Sequence, residues 1–177
     1  MNVLILAKGS NRLVDAIIRR GDLKELPTIS NGWLFNFQKL ASKNGKQSYV
    51  LVREESIDLI EGCMIFSMHE SFGPYMDLLE VSPFNKGEQG LFKNVAACLI
   101  AYACGLSFEF GENEDKGILT FEAYSKTREG REKLIEMYHK KYGAVSNPYG
   151  YLEIYPKQGK ILMEKYLFNS NTPSHEK

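Results

Sequence analysis

Three runs rich in β-branched and aromatic residues follow one another between Gln47 and Pro83 with only short polar breaks, and this spacing constrains the fold most. In "QSYVLVR", Tyr49, Leu51 and Arg53 alternate with Val50 and Val52. "IDLIEGCMIFSM" is similar, and the two runs join around Glu54–Ser56. "YMDLLEVSP" (75–83) reads as a third strand, closed by Pro83. Breaks this short make hairpins, so this half of the chain pairs antiparallel. From residue 90 the pattern changes. Leu91, Val95, Leu99, Tyr102 and Leu106 recur at helical spacing until Gly111. "GILTFEAYS" (117–125) is a fourth strand. "GREKLIEMYHKKYG" (130–143) is an amphipathic helix with Leu134, Ile135 and Tyr138 on one side. "YGYLEIYP" (149–156) is a last strand and "GKILMEKYLF" (159–168) a final helix. Strands separated by whole helices imply crossovers and parallel pairing. The expected class is α/β (α+β), with a mixed, mostly antiparallel central sheet flanked by helices on both faces.

The length of 177 residues favours a single domain, here over 1–168. Residues 1–45 form its N-terminal helical part. There "NRLVDAIIRR" (11–20) places Leu13, Ile17 and Ile18 at helical spacing, with Asn11 as cap and Gly21 as stop. "LPTISNGW" (26–33) is a loop, and "WLFNFQKLAS" (33–42) is either a short helix or an extended piece. The polar tail, 169–177, is expected to be disordered.

Charge and composition narrow the function. Lys plus Arg (22) balances Asp plus Glu (22), which argues against a general nucleic-acid binder. No apolar run approaches a membrane span, and the N-terminus lacks the features of a signal peptide. Cys63, Cys98 and Cys104 lie in apolar surroundings without a C-x-x-C pair, so buried reduced thiols and a cytoplasmic location are expected. His69, His139 and His175 show no metal spacing, so no metal is expected. No "G-x-S-x-G" nucleophile elbow occurs.

One loop stands out. "PFNKGEQGLF" (83–92) leads from the third strand into the long helix, with Gly87 and Gly90 just before it. Backbone N–H groups at such a junction form an anion site, and glycine lets a phosphate approach closely. An ordinary strand–helix turn would also use these residues. The loop is not a P-loop, because Leu91 and Phe92 stand where Lys-Ser/Thr is required. It is not a dinucleotide fingerprint, because the first G-x-G is missing.

The order "LLEVSP", "FNKGEQG", long helix, "GILTFEAYSK", "LIEMYHKKYGA" resembles the GCN5-related N-acetyltransferase (GNAT) superfamily over roughly 47–156. That family carries a strand ending in a Val-x-Pro-like step, a glycine loop for the coenzyme A pyrophosphate, and then a long helix. Phe84 and Gln89 depart from the family's loop pattern, and Tyr142 and Ala144 from its usual helix ending. The resemblance implies acetyl transfer from acetyl-coenzyme A to a primary amine by direct attack, with a small-molecule or protein acceptor. It implies that amides of Gly87, Glu88, Gln89, Gly90 and Leu91 cradle the pyrophosphate, with Lys86 or Lys93 adding charge. Main-chain groups of Leu79, Glu80 and Val81 would pair with the pantetheine arm where this strand and the one at 117–125 splay apart. Tyr138 falls at the place of the general acid, although its apolar helix face suits a core residue equally. Glu80 is the first candidate for the base and Glu122 the second. Strand alternation puts Asp77 opposite Glu80. The N-terminal part, with Trp33, Phe35 and Phe37, would shape the acceptor side. The competing readings are a non-catalytic binding or oligomerisation module with a degenerate coenzyme A site, which predicts Phe84 or Phe92 filling the slot, and a small-ligand domain of another kind. A homodimer through "YLEIYP" is a further expectation.

Overall fold

The computed structural model describes residues 1–168, so the tail lies outside the described residues. Its strands are β1 (Asn2–Ala7), β2 (Arg12–Arg20), β3 (Gln47–Arg53), β4 (Ser56–His69), β5 (Gly73–Val81), β6 (Phe92–Lys93), β7 (Leu119–Phe121), β8 (Val145–Ser146) and β9 (Leu152–Ile154). Helices are α1 (Phe37–Ala41), α2 (Val95–Phe110), α3 (Arg128–Tyr142) and α4 (Pro156–Met163), and a π-helical turn follows at Glu164–Phe168. The strands form one sheet in the order β6-β1-β2-β3-β4-β5-β7-β9-β8.

The meander β3–β4–β5 is antiparallel, as its spacing demands. The first correction concerns 11–20, which is strand β2 rather than a helix and pairs with both β1 and β3. Val14, Ala16 and Ile18 alternate toward the core, while Leu13 is exposed. Asn11 adopts φ 50° and closes the β1–β2 turn instead of capping a helix. Helical spacing and strand alternation coincide over so short a segment. The partner "NVLILA" decides between them by supplying a full ladder of hydrogen bonds.

Alternation along β3 and β4 divides the core in two. Tyr49, Leu51, Met64 and Phe66 join the cluster that holds α2, α3 and α4. Val50, Val52, Cys63 and Ile65 pack on the opposite, second face against Leu26, Trp33 and Phe37. Trp33 meets Phe37 edge to face at 5.8 Å. Within 33–42, only Phe37–Ala41 is helical, capped by the Asn36 side chain, which accepts the Lys39 N–H at 2.9 Å. Helix α2 is buried nearly all round. It can lie this close to the sheet because Gly62 is bare: a Cβ there would stand 2.7 Å from Val95 Cγ1 and 2.8 Å from Leu99 Cδ1.

Around α2 the crossover expectation holds, since β5 and β7 pair parallel. Around α3 it does not, because β7 and β9 are antiparallel. After α3 the chain runs out through β8, turns over Asn147–Gly150 and returns as β9. The Asn147 side chain holds this turn by accepting from the Tyr149 and Tyr151 N–H groups, both at 3.0 Å. Strand β9 is therefore internal, and pairing at this rim would involve β8 rather than "YLEIYP". In β5, Ile65 opposes Leu78 and Phe66 opposes Met76, which leaves Asp77 as the extra residue of a bulge. The bulge reverses the alternation and brings Asp77 to the same face as Glu80, where Asp77 accepts from Ser67 Oγ at 2.7 Å.

Candidate active site

The parallel pairing of β5 with β7 ends at Met76–Phe121, although β5 continues to Val81. Beyond β7 the chain is drawn aside by Arg131, whose Nε donates to the Ala123 carbonyl at 3.2 Å. The two strands thus part as expected. Between them lies a cleft of about 60 Å³ lined by Phe35, Asp77, Leu79, Glu122, Tyr124 and Tyr138. On its other side, β5 is fully engaged with β4, with Met64 opposite Leu79 and Gly62 opposite Val81. The cleft-side backbone edge of Leu79–Val81 carries no strand.

Tyr138 reaches the cleft from α3. Its ring packs against Phe121 at 4.9 Å and Tyr142 at 5.8 Å. Its hydroxyl makes no hydrogen bond among the described residues. No buried side-chain nitrogen or oxygen lacks a partner there, so this hydroxyl opens to the cleft. Burial pushes the phenol up to about 12, which keeps its proton in place at neutral pH.

Glu80 is buried and its carboxylate is occupied. Oε1 accepts from the Leu34 N–H at 2.7 Å and from Lys86 Nζ at 2.5 Å, and Oε2 from the Phe35 N–H at 3.1 Å. One carboxylate therefore ties the N-terminal segment, strand β5 and the glycine loop together. Glu122 is exposed, with Oε1 3.7 Å from Arg131.

In the loop, the Gly90 N–H donates to the Gly87 carbonyl and the Leu91 N–H to the Phe84 carbonyl, at 3.4 and 2.9 Å. The N–H groups of Gly87, Glu88 and Gln89 have no partner among the described residues, and neither do those of Val95, Ala96 and Ala97 in the first turn of α2. Gly87 adopts φ 66°, and a Cβ on Gly90 would stand 2.5 Å from the Asn85 carbonyl oxygen. Both glycines are thus required by the loop itself. Lys8 Nζ braces the loop from β1's side through the Gly87 and Glu88 carbonyls, at 3.1 and 3.0 Å. Buried Asn85 pins it from below, donating to Glu61 Oε2 at 2.7 Å and accepting from the Phe92 N–H at 3.1 Å. Sequence reasoning missed Lys8, Glu61 and Asn85, which nothing local marks. It did take the junction of glycine loop and helix N-terminus as the anion site, but began the helix near residue 90 rather than at Val95, so the amides of Val95, Ala96 and Ala97 were not among its candidates.

Phe84 is exposed and the Phe92 ring lies against Arg53, so neither fills the cleft. Phe35 instead contacts Tyr124 edge to face across it, at 5.3 Å. A larger cavity, about 760 Å³, lies elsewhere, between Leu26, Trp33, Ile60 and Phe84 on the second face. Of the candidate catalytic and cofactor-binding residues only Leu91 lines it, beside Trp33 from the expected acceptor side. All three cysteines are free and buried, and burial pushes Cys98 and Cys104 up to about 12. No group of metal-ligating side chains occurs among the described residues, and no helix there is long and apolar enough to cross a membrane.

The sequence matches no protein-family profile and no curated protein. Solved structures do match its fold. The crystal structure of AtaTR bound with acetyl-CoA is 18% identical, with a TM-score of 0.53 over 83% of this chain and 97% of that one. The KacTA–DNA complex is 14% identical, with a TM-score of 0.55 over 85% and 99%. A chimera of the spermidine N-acetyltransferase SpeG from Vibrio cholerae and hSSAT is 12% identical, with a TM-score of 0.52 over 82% and 98%. With its mostly antiparallel sheet, its parting central strands and these neighbours, the chain has the fold of the GCN5-related N-acetyltransferases.

Proposed function

We propose that this protein is an N-acetyltransferase that carries an acetyl group from acetyl-coenzyme A to a primary amine. One observation carries the reading: β5 and β7 part just past Met76–Phe121, and the unpaired edge of β5 and the free Tyr138 hydroxyl meet in the gap. Acetyl-coenzyme A supplies the activated thioester. Main-chain groups of Leu79, Glu80 and Val81 pair with its pantetheine amides as a neighbouring strand would. The free N–H groups of Gly87, Glu88 and Gln89, with the first turn of α2, hold the pyrophosphate, and Lys86 adds charge. Gly90 and Leu91 serve by closing the loop, because their own N–H groups are spent within it.

The neutral amine attacks the thioester carbon, the carbon–sulfur bond breaks, and Tyr138 gives its proton to the departing thiolate. The amine's proton leaves through water toward Glu122 or Asp77, the carboxylates that line the cleft. Glu80, with three donors on its two oxygens, holds the site's walls in place rather than taking this proton.

A binding module is the second reading. Among structures of similar fold are complexes with DNA and with an antitoxin, and here the Phe35–Tyr124 contact narrows the cleft. Calorimetric titration with acetyl-coenzyme A and coenzyme A separates the two. Saturable micromolar binding supports the transferase, and an absence of binding at millimolar cofactor leaves the module.

A further inference from the structure

Where β5 and β7 still pair, the second face of the sheet carries a connected wall of aromatic and acidic groups. Ser67, Tyr75, Thr120 and Glu153 stand in register across β4, β5, β7 and β9. Asp77 of β5 and Glu122, just past the end of β7, line the cleft beside them. Helix α1 packs on β3 and β4; on the wall itself Ser67 and Thr120 are buried, and Tyr75, Tyr151 and Glu153 are half-buried. The Tyr151 ring lies 4.5 Å from Phe72 and 6.2 Å from Tyr75, and His69 is 5.5 Å from Tyr75. The hydroxyls of Tyr75 and Tyr151 make no hydrogen bond among the described residues. Burial pushes the Tyr75 phenol up to about 12, with the charges of Glu122 and Asp77 adding to the effect, so both carboxylates are felt at this ring.

The charges do not cancel. Asp77 is paired with Lys46 at 2.5 Å, and Glu122 stands 3.7 Å from Arg131. Glu153 accepts only from neutral groups, Asn147 Nδ2 at 2.8 Å and the Tyr155 hydroxyl at 2.7 Å. The three carboxylates thus face two cations. Aromatic faces beside an unneutralised carboxylate attract an organic cation.

We infer that this wall receives the second, charged amino group of a diamine or polyamine acceptor while its first, neutral amine reaches the thioester at the head of the cleft. This rests on the transferase reading above, and it is tested without turnover. The probes are putrescine and its uncharged isostere 1,4-butanediol, titrated calorimetrically into the full chain, with acetyl-coenzyme A titrated in parallel. Putrescine should bind at least about tenfold more tightly than the diol. Tyr151→Ala and Glu153→Gln should each remove most of that preference, Tyr151→Phe should keep it, and affinity for acetyl-coenzyme A should not change. Equal affinity for the two probes, or a preference that survives both variants, overturns the inference. Acetyl-coenzyme A binding without a diamine preference overturns the wall alone. A diamine preference without cofactor binding overturns the transferase and leaves the wall as a cation site.

Discussion

Glu80→Gln separates a positioning carboxylate from a catalytic base. Glutamine keeps one oxygen but presents an amide N–H in place of the other. Either the Leu34 or the Phe35 N–H then faces a donor, and Lys86 loses its counter-charge. A charge-assisted hydrogen bond is worth about 1.5–3 kcal/mol, and a stranded buried donor costs about 1–3 kcal/mol. Allowing for partial relaxation, the substitution should cost about 2–4 kcal/mol. For a chain of this size that lowers Tm by roughly 5–15 °C. Lys86→Met removes only the ammonium, whose side chain is 43% exposed, and should cost at most about 1 kcal/mol. Scanning calorimetry gives both numbers, and amide exchange at Leu34 and Phe35 shows where the loss falls. These two amides should lose protection in Glu80→Gln and keep it in Lys86→Met. A Tm within about 2 °C of the parent, with unchanged protection, would refute the clamp. If turnover vanished in that same variant, Glu80 would return as the base.

Tyr138→Phe should lower kcat about 100- to 10,000-fold and leave the affinity for acetyl-coenzyme A intact. The lost hydroxyl bonds nothing in the fold, so a kcat equal to the parent's would remove the tyrosine from the chemistry. Alkali should destabilise the protein. Burial raises Tyr138 from 10 to about 12 and Cys98 and Cys104 from 9 to about 12, so the native chain keeps protons that the unfolded chain releases. Stability is then full below about pH 9 and falls as pH rises toward about 12, Tyr138 alone accounting for roughly 3 kcal/mol. Urea titrations across that range check the slope, which should be shallower in Tyr138→Phe. Gly90→Ala should cost about 1–3 kcal/mol, because its Cβ would meet the Asn85 carbonyl at 2.5 Å, and more than Gly87→Ala, which meets only a positive φ. Equal Tm values for the two variants would contradict that account of the loop.

The strand–helix order from Gln47 onward was legible because periodicity changes there from two to 3.6 residues and glycines punctuate it. So was the parting of the strands, through the resemblance. Residues 11–20 misled because Leu13, Ile17 and Ile18 fit a helix as well as Val14, Ala16 and Ile18 fit a strand, and only the pairing with β1 decides. The side on which Asp77 lies depends on a one-residue bulge, which no residue type in "YMDLLEV" announces. The state of Glu80 depends on amides 45 and 46 residues away in sequence. A lone carboxylate in an apolar strand does signal a buried charge, but not which groups satisfy it.

The distribution of unpaired backbone has a consequence for self-association. Both outermost strands of the sheet, β6 and β8, are two residues long, and the C-terminal π-helical turn packs beside β1. The rims therefore present little ladder for a neighbour's strand to extend, which protects against polymerisation edge to edge. The unpaired edge of β5, Asp77–Val81, is turned inward to the cleft instead. The chain keeps its adhesive backbone within the sheet, where an extended ligand can reach it and a second folded copy cannot.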